Sequence, residues 1–175
     1  MANGFEEAQA RRNWLERLVD KIPGFKGYQD RELRRDVDRM QREYLSHRFG
    51  ELKAVVRRSA RDYTDAGQIG LLHLFERLDR DLDGLSQAVR FADYGVSGFF
   101  DVVKIGEEEL ERLYQFDLSV VDDLETLAAD LAAVPGPGGE DVHAALDRAT
   151  DRVAGLRSKW SERKNVISQV VRTSA

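Results

Sequence analysis

The chain contains no cysteine, which excludes disulfides, thiolate nucleophiles and zinc-thiolate centres at once. Prolines are few: Pro23, Pro135 and Pro137 are the only obligatory interruptions to a helix. Apolar runs never approach the ~18 residues of a membrane-spanning segment. Nor does the start have the shape of a secretory signal, because Met1–Gly4 runs directly into Phe5-Glu6-Glu7. With charged residues at 34% and hydrophobic residues at 42%, the composition is too apolar for a disordered chain and too charged for a membrane protein. The expected setting is the cytoplasm. The large excess of arginine over lysine fits a GC-rich bacterial coding sequence.

What the chain has in quantity is helical periodicity. A first helix, about Phe5 to Ile22, places Ala8, Leu15, Leu18, Val19 and Ile22 on one face with Trp14 at its edge. Pro23-Gly24 ends it, and Phe25-Lys26-Gly27-Tyr28 forms an aromatic turn. A second helix begins near Gln29-Asp30, with Asp30 as N-cap, and runs to about Tyr63 through Leu33, Val37, Met40, Tyr44, then Leu45, Phe49, Leu52, Val56 and Ala60. The row shifts by one position at Tyr44-Leu45 and Gly50 follows, which predicts a bend or break near Ser46–Gly50. Thr64-Asp65-Ala66-Gly67 is the turn after it.

Leu71, Phe75, Leu78, Leu82, Leu85, Val89 and Ala92 repeat at 4-3 spacing in a third helix. A fourth opens at Gly106-Glu107-Glu108-Glu109, its acidic turn suited to the positive end of the helix dipole, and carries Leu110, Leu113, Val120, Leu124, Leu127, Leu131 and Val134. Pro135–Gly139 is a flexible connector. The last helix then aligns Val142, Leu146, Ala149, Val153, Leu156, Trp160, Ile167 and Val170, with Arg163 interrupting the row.

Rows that recur every 3.5 residues call for coiled-coil-like packing at small crossing angles. Helices of about 27–35 residues, rising ~1.5 Å per residue, make elements about 40–50 Å long. The expectation is an all-α chain: an antiparallel bundle of four long helices plus a shorter N-terminal helix, forming one domain over 1–175. Residues 1–27 are its N-terminal helix and aromatic turn, and 28–175 its main bundle. The rival arrangement is an extended helical hairpin that completes its core by self-association.

Charge is segregated along the sequence. Net charge is +1 over residues 1–27, +4 over 28–61, −12 over 62–134 and +2 over 140–175, within an overall −5. A basic helix lying beside acidic ones in the same fold accounts for this pattern, the alternative being an acidic face for a basic partner. Arg31, Arg34, Arg35, Arg39, Arg42, Arg57, Arg58 and Arg61 alternate with Glu32, Asp36, Asp38 and Glu43, a pattern of solvated i,i+4 salt bridges rather than of phosphate contacts. Nucleic acid is therefore not an expected partner.

Candidate chemistry is sparse. Asp117 lies where both apolar rows of its helix pass, Leu110-Leu113-Asp117-Val120-Leu124 and Leu110-Tyr114-Asp117-Val121-Leu124, so it points inward and needs a partner. Arg163, set in the row of the last helix, is the candidate, and the pair is expected to fix register rather than catalyse. The histidines fail as a metal site. Glu140-Asp141-Val142-His143 is a single Glu-x-x-His match where a carboxylate-bridged di-metal bundle needs two plus two further carboxylates, and His47 and His73 add none. Gly95-Val96-Ser97-Gly98 lacks the strand and the last glycine of a nucleophile elbow, leaving Ser97 as a helix cap. Pro135–Gly139 lacks the lysine and Ser/Thr of a phosphate loop. No cofactor, metal or small-molecule substrate is implied.

Between the third and fourth helices, Arg90–Gly106 stops reading as a helix and gathers Phe91, Tyr94, Phe99 and Phe100 around Gly95 and Gly98. Phe91 and Phe99 are expected to close the end of a bundle, the two glycines to make the corner, and Tyr94 and Phe100 to stay available. A contact patch would comprise Tyr94, Phe99, Phe100, Phe25 and Tyr28.

Ile22-Pro23-Gly24-Phe25-Lys26-Gly27-Tyr28 followed by Arg31-Glu32-Leu33-Arg34-Arg35-Asp36 resembles the opening of uncharacterised bacterial all-helical proteins that carry an Ile-Pro-Gly-aromatic turn before a charged helix. Phe91 to Tyr114 is similar to a later part of the same group. That resemblance implies a bacterial helical protein and no activity. The functional expectation is a non-enzymatic structural or protein-interaction bundle that meets a protein partner or another copy of itself. The alternative is a peripheral membrane-associated scaffold using the amphipathic first helix.

Overall fold

Helical spacing becomes helix wherever the structure, a computed structural model, describes the chain. It describes residues 16–17, 19–21, 31–92 and 107–173, with side chains for 16–17, 19–21, 38–92 and 112–166. Helix α1 is Arg31–Asp65, a 3-10 turn spans Ile69–Leu71, α2 is Leu72–Arg90, α3 is Glu107–Ala132 and α4 is Val142–Thr173. Residues 16–17 and 19–21 are also helical, and no strand occurs among the described residues. None of the described helices is long and apolar enough to cross a membrane.

The chain divides into two compact units. Among the described residues, one takes 16–17, 19–21, 31–44, 107–121 and 160–173, and the other Leu45–Ala92 and Asp122–Lys159. This division falls within the long helices, and the junction of the N-terminal part with the main bundle near residue 27 lies outside the described residues.

The second unit has an apolar core in which leucine dominates. Leu45, Phe49, Leu52, Val56 and Tyr63 of α1 are buried, as are Leu78, Leu82, Leu85 and Val89 of α2, Leu124, Leu127 and Leu131 of α3, and Leu146, Ala149, Val153 and Leu156 of α4. Its surface is laced by ion pairs that join the basic stretch of α1 to its acidic neighbours. Lys53 bonds Asp83 and Arg57 grips both oxygens of Asp79, at 2.7 and 3.0 Å. Arg48 reaches Glu125 at 3.1 Å, while Arg152 meets Asp130 and Lys159 meets Asp123. Charge segregation is thus consumed within the chain at these positions. Gly84 opens room for Arg157, whose Nη2 donates to the Asp81 carbonyl at 2.8 Å and would lie 2.8 Å from a Cβ at position 84.

Three local expectations change. First, α1 runs unbroken through Ser46–Gly50. Its buried row is Asp38, Gln41, Leu45, Phe49, Leu52 and Val56, with Met40 and Tyr44 only half-buried. The row does not shift at Tyr44-Leu45; its upstream positions are polar, so hydrophobicity alone placed them one residue early. Second, Thr64 and Asp65 belong to α1 and not to the turn. The helix stops at Gly67, whose φ of 72° suits glycine, with the Gly67 N–H donating to Thr64 O and the Gln68 N–H to Tyr63 O, a Schellman closure.

Third, Pro135–Gly139 is an organised turn and not a flexible connector. The Gly139 N–H donates to Gly136 O at 2.9 Å, and Gly138 sits at φ 84° behind Pro137, the arrangement of a type II turn. Tyr63, 1% exposed and tilted against Phe75, donates its hydroxyl to the carbonyls of Pro135 and Gly136 at 2.9 and 3.0 Å, and the Gly138 N–H reaches Gln68 Oε1 at 3.2 Å. A buried phenol with two carbonyls on its oxygen clasps this loop to the end of α1.

Candidate functional site

Three helices of the first unit turn a polar residue inward where the pattern calls for an apolar one. In α4 the buried row Val153, Leu156, Trp160 continues with Arg163 at the next 3-residue step, 4% exposed. In α3 Asp117, fully buried, follows Leu113 and precedes Val120 and Leu124. In α1 Asp38 and Gln41 precede Leu45, at 6% and 0% exposure. Helical geometry alone brings these side chains to the inside of their helices.

They meet around one guanidinium. Arg163 Nε donates to Asp117 Oδ1 at 2.9 Å and Nη2 to Asp117 Oδ2 at 3.2 Å, a side-on two-point contact. Nη1 donates to Asp38 Oδ1 at 2.8 Å, and Nη2 also reaches Gln41 Oε1 at 3.1 Å. The second oxygen of Asp38 accepts from Arg42 Nε, one turn along α1, at 2.9 Å. Trp160, one turn before Arg163, places its ring 5.1 Å from the guanidinium carbon, close enough for a cation–π contact. Two arginines thus face two aspartates, and every carboxylate oxygen of the pair accepts from a guanidinium.

Burying these ions costs several kcal/mol each, recovered only where geometry and hydrogen bonding are good. Both conditions hold, and contacts spanning 46 to 125 residues of sequence tie α1, α3 and α4 together. Chemically the arrangement joins and registers helices: its carboxylate oxygens point at arginine nitrogens.

Asp117 and Arg163 are therefore brought together, as their rows suggested. Asp38 and Arg42 do form one of the expected i,i+4 pairs, but it is not solvated, because Asp38 is buried; Gln41 escaped the sequence reading, although 38 and 41 continue the line of Leu45, Phe49 and Leu52 backwards. Tyr94, Phe99, Phe100, Phe25 and Tyr28 lie outside the described residues, as do Asp30 and Ser97. Phe91 does not close a core. It is 71% exposed as the C-cap of α2, its ring 5.7 Å from the Arg90 guanidinium, because it falls two residues past Val89 and so on the opposite side of the helix. Val19, placed on the apolar face of the first helix, is 45% exposed.

The histidines go their separate ways. His143 Nδ1 pairs with Asp147 Oδ2 at 2.9 Å instead of with Glu140, His47 lies 3.8 Å from Glu51, and His73 Nδ1 faces the Gly70 carbonyl. Among the described residues no three potential ligands cluster for a metal ion. Elsewhere, burial raises the Tyr63 hydroxyl above the ordinary tyrosine range, and the Lys53 ammonium lowers the Asp83 carboxyl.

No protein-family model, curated protein or solved structure compared with the chain matches it.

Proposed function

We propose that the chain is a non-enzymatic structural or protein-interaction module of the bacterial cytoplasm, built as an antiparallel four-helix bundle with coiled-coil-like packing. The carrying observation is the Arg163 cluster, whose charges are directed at one another across three helices and so serve assembly. The surface pairs favour antiparallel neighbours. From Lys53 to Arg57 the chain advances along α1 while their partners step back from Asp83 to Asp79, and from Asp123 to Asp130 the partners step back from Lys159 to Arg152.

The partner is a protein or a second copy of the chain, met through aromatic positions of the 91–100 segment. Affinity capture with mass spectrometry, comparing the chain with its Phe99→Ser/Phe100→Ser variant, is expected to recover a partner lost with the two rings. Sedimentation at two concentrations separates self-association from a foreign partner. Identical capture by both proteins, together with a monomer at both concentrations, would sink the interaction reading.

A second reading, membrane association through the first helix, draws on the exposure of Val19. Flotation of the full chain with anionic vesicles, lost in Val19→Asp, is its expected signature; absence of flotation removes it.

A further inference from the structure

The two compact units are cored by different chemistry, and this difference predicts which one opens first. Every buried side chain described in the unit of Leu45–Ala92 and Asp122–Lys159 is hydrophobic, Tyr63 included. In the other, Asp38, Gln41, Asp117 and Arg163 lie buried among Leu113, Tyr114, Leu118, Val120, Val121 and Trp160, a mixed core with an ionic centre.

Opening an apolar core puts hydrocarbon into water with no hydration of charged groups regained in return. Opening an ionic core returns carboxylates and guanidinium to water, and the hydration regained offsets much of the attraction lost. Half-opening is the unfavourable state, because one helix withdrawing leaves the charges of the other two buried without compensation. A core with such a cluster at its centre therefore opens all at once or not at all, and more readily than a wholly apolar core of similar size.

We propose that the segments around Asp38, Asp117 and Arg163 form a cooperative local-opening unit that unfolds and refolds while the apolar unit stays folded, with the Arg163 cluster as its catch. This stands apart from the interaction reading and survives its failure.

Native-state hydrogen exchange on the full chain, followed amide by amide, tests it. Amides of 113–121 and 160–163 are expected to exchange together, about tenfold or more faster than those of 146–156 and 78–85. Equal protection overturns the proposal. Ordinary fraying is separated by the variant Asp38→Leu/Asp117→Leu/Arg163→Met, which removes the ions. Exchange at 113–121 is expected to slow toward the rate of the apolar unit, and exchange that stays fast overturns the role of the cluster. If that variant does not fold, Arg163→Met alone decides. Taking the Arg163 guanidinium from Asp117 and leaving Asp38 with Arg42, it is expected to speed exchange at 113–121 by about tenfold or more while leaving 146–156 unchanged. Acceleration at both, or at neither, overturns the proposal.

Discussion

Arg163 meets Asp117 side-on, its Nε on one carboxylate oxygen and its Nη2 on the other, with neither residue more than 4% exposed. The pair sits where two apolar rows cross, so removing either member leaves an ion in a closed interior. Asp117→Ala is expected to cost about 3–5 kcal/mol, the range for breaking a buried ion pair. Urea denaturation measures this directly. An unchanged midpoint would mean that the charges are not held in the interior. Replacing the whole set with apolar residues is expected to cost far less than the single change.

Tyr63→Phe keeps the packing against Phe75 and deletes only the hydroxyl that holds Pro135 and Gly136. The expected loss is about 1–3 kcal/mol, since two carbonyls lose their donor. The same hydroxyl gives a pH signature. Its pKa in the folded chain is raised above the unfolded value of ~10, so its contribution is complete below that pH and is lost as pH rises through the folded value. Alkaline melting curves of the wild type should fall toward those of Tyr63→Phe. Parallel curves would exclude the clasp as the cause.

Lys53 lowers the Asp83 carboxyl, the opposite sign. Stability from that pair is present above the unfolded carboxyl value of ~4 and disappears as pH falls through the lower, folded one. Because the pair lies at the surface, its effect is expected to be small and to shrink with added salt. Thermal melts of Asp83→Asn against wild type, at low and high ionic strength, read both. A large difference that ignored salt would contradict the surface placement.

Gly50 lies within a continuous helix and its missing Cβ would meet nothing within 4 Å. Gly50→Ala is therefore expected to stabilise the chain by about 0.5–1 kcal/mol through helix propensity. Gly138→Ala, at φ 84°, is expected to destabilise it by about 1–2 kcal/mol, the cost of a side chain in left-handed backbone. Chemical denaturation of the two variants should move in opposite directions. Loss of stability in Gly50→Ala would indicate a hinge there.

Much of this architecture was legible because period and burial are the same information in a helix. Leu78, Leu82, Leu85 and Val89 were named from spacing alone and are all buried. Asp117 and Arg163 were legible for the same reason, as polar residues standing in apolar rows. Asp38 and Gln41 were not, because two polar residues in succession erase the row that would expose them, and hydrophobicity draws the row instead through Val37 and Met40, the latter only half-buried. Phe91 misled by composition: an aromatic side chain next to a buried row is still exposed when it falls on the wrong side of the helix. Tyr63 was seen as a core residue, but its partners are backbone carbonyls 72 and 73 residues away, which no spacing rule reaches.

That separation makes the Tyr63 hydroxyl a non-covalent closure of a long loop. Schellman hydrogen bonds at Gly67 and the turn at Pro137-Gly138 are local and can form in a largely unfolded chain, whereas the phenol needs the end of α1 and the 135–136 carbonyls brought together across the loop. The clasp thus depends on a long-range meeting that its local neighbours do not need, and the burial of a single tyrosine reports that the two ends of this loop have come together.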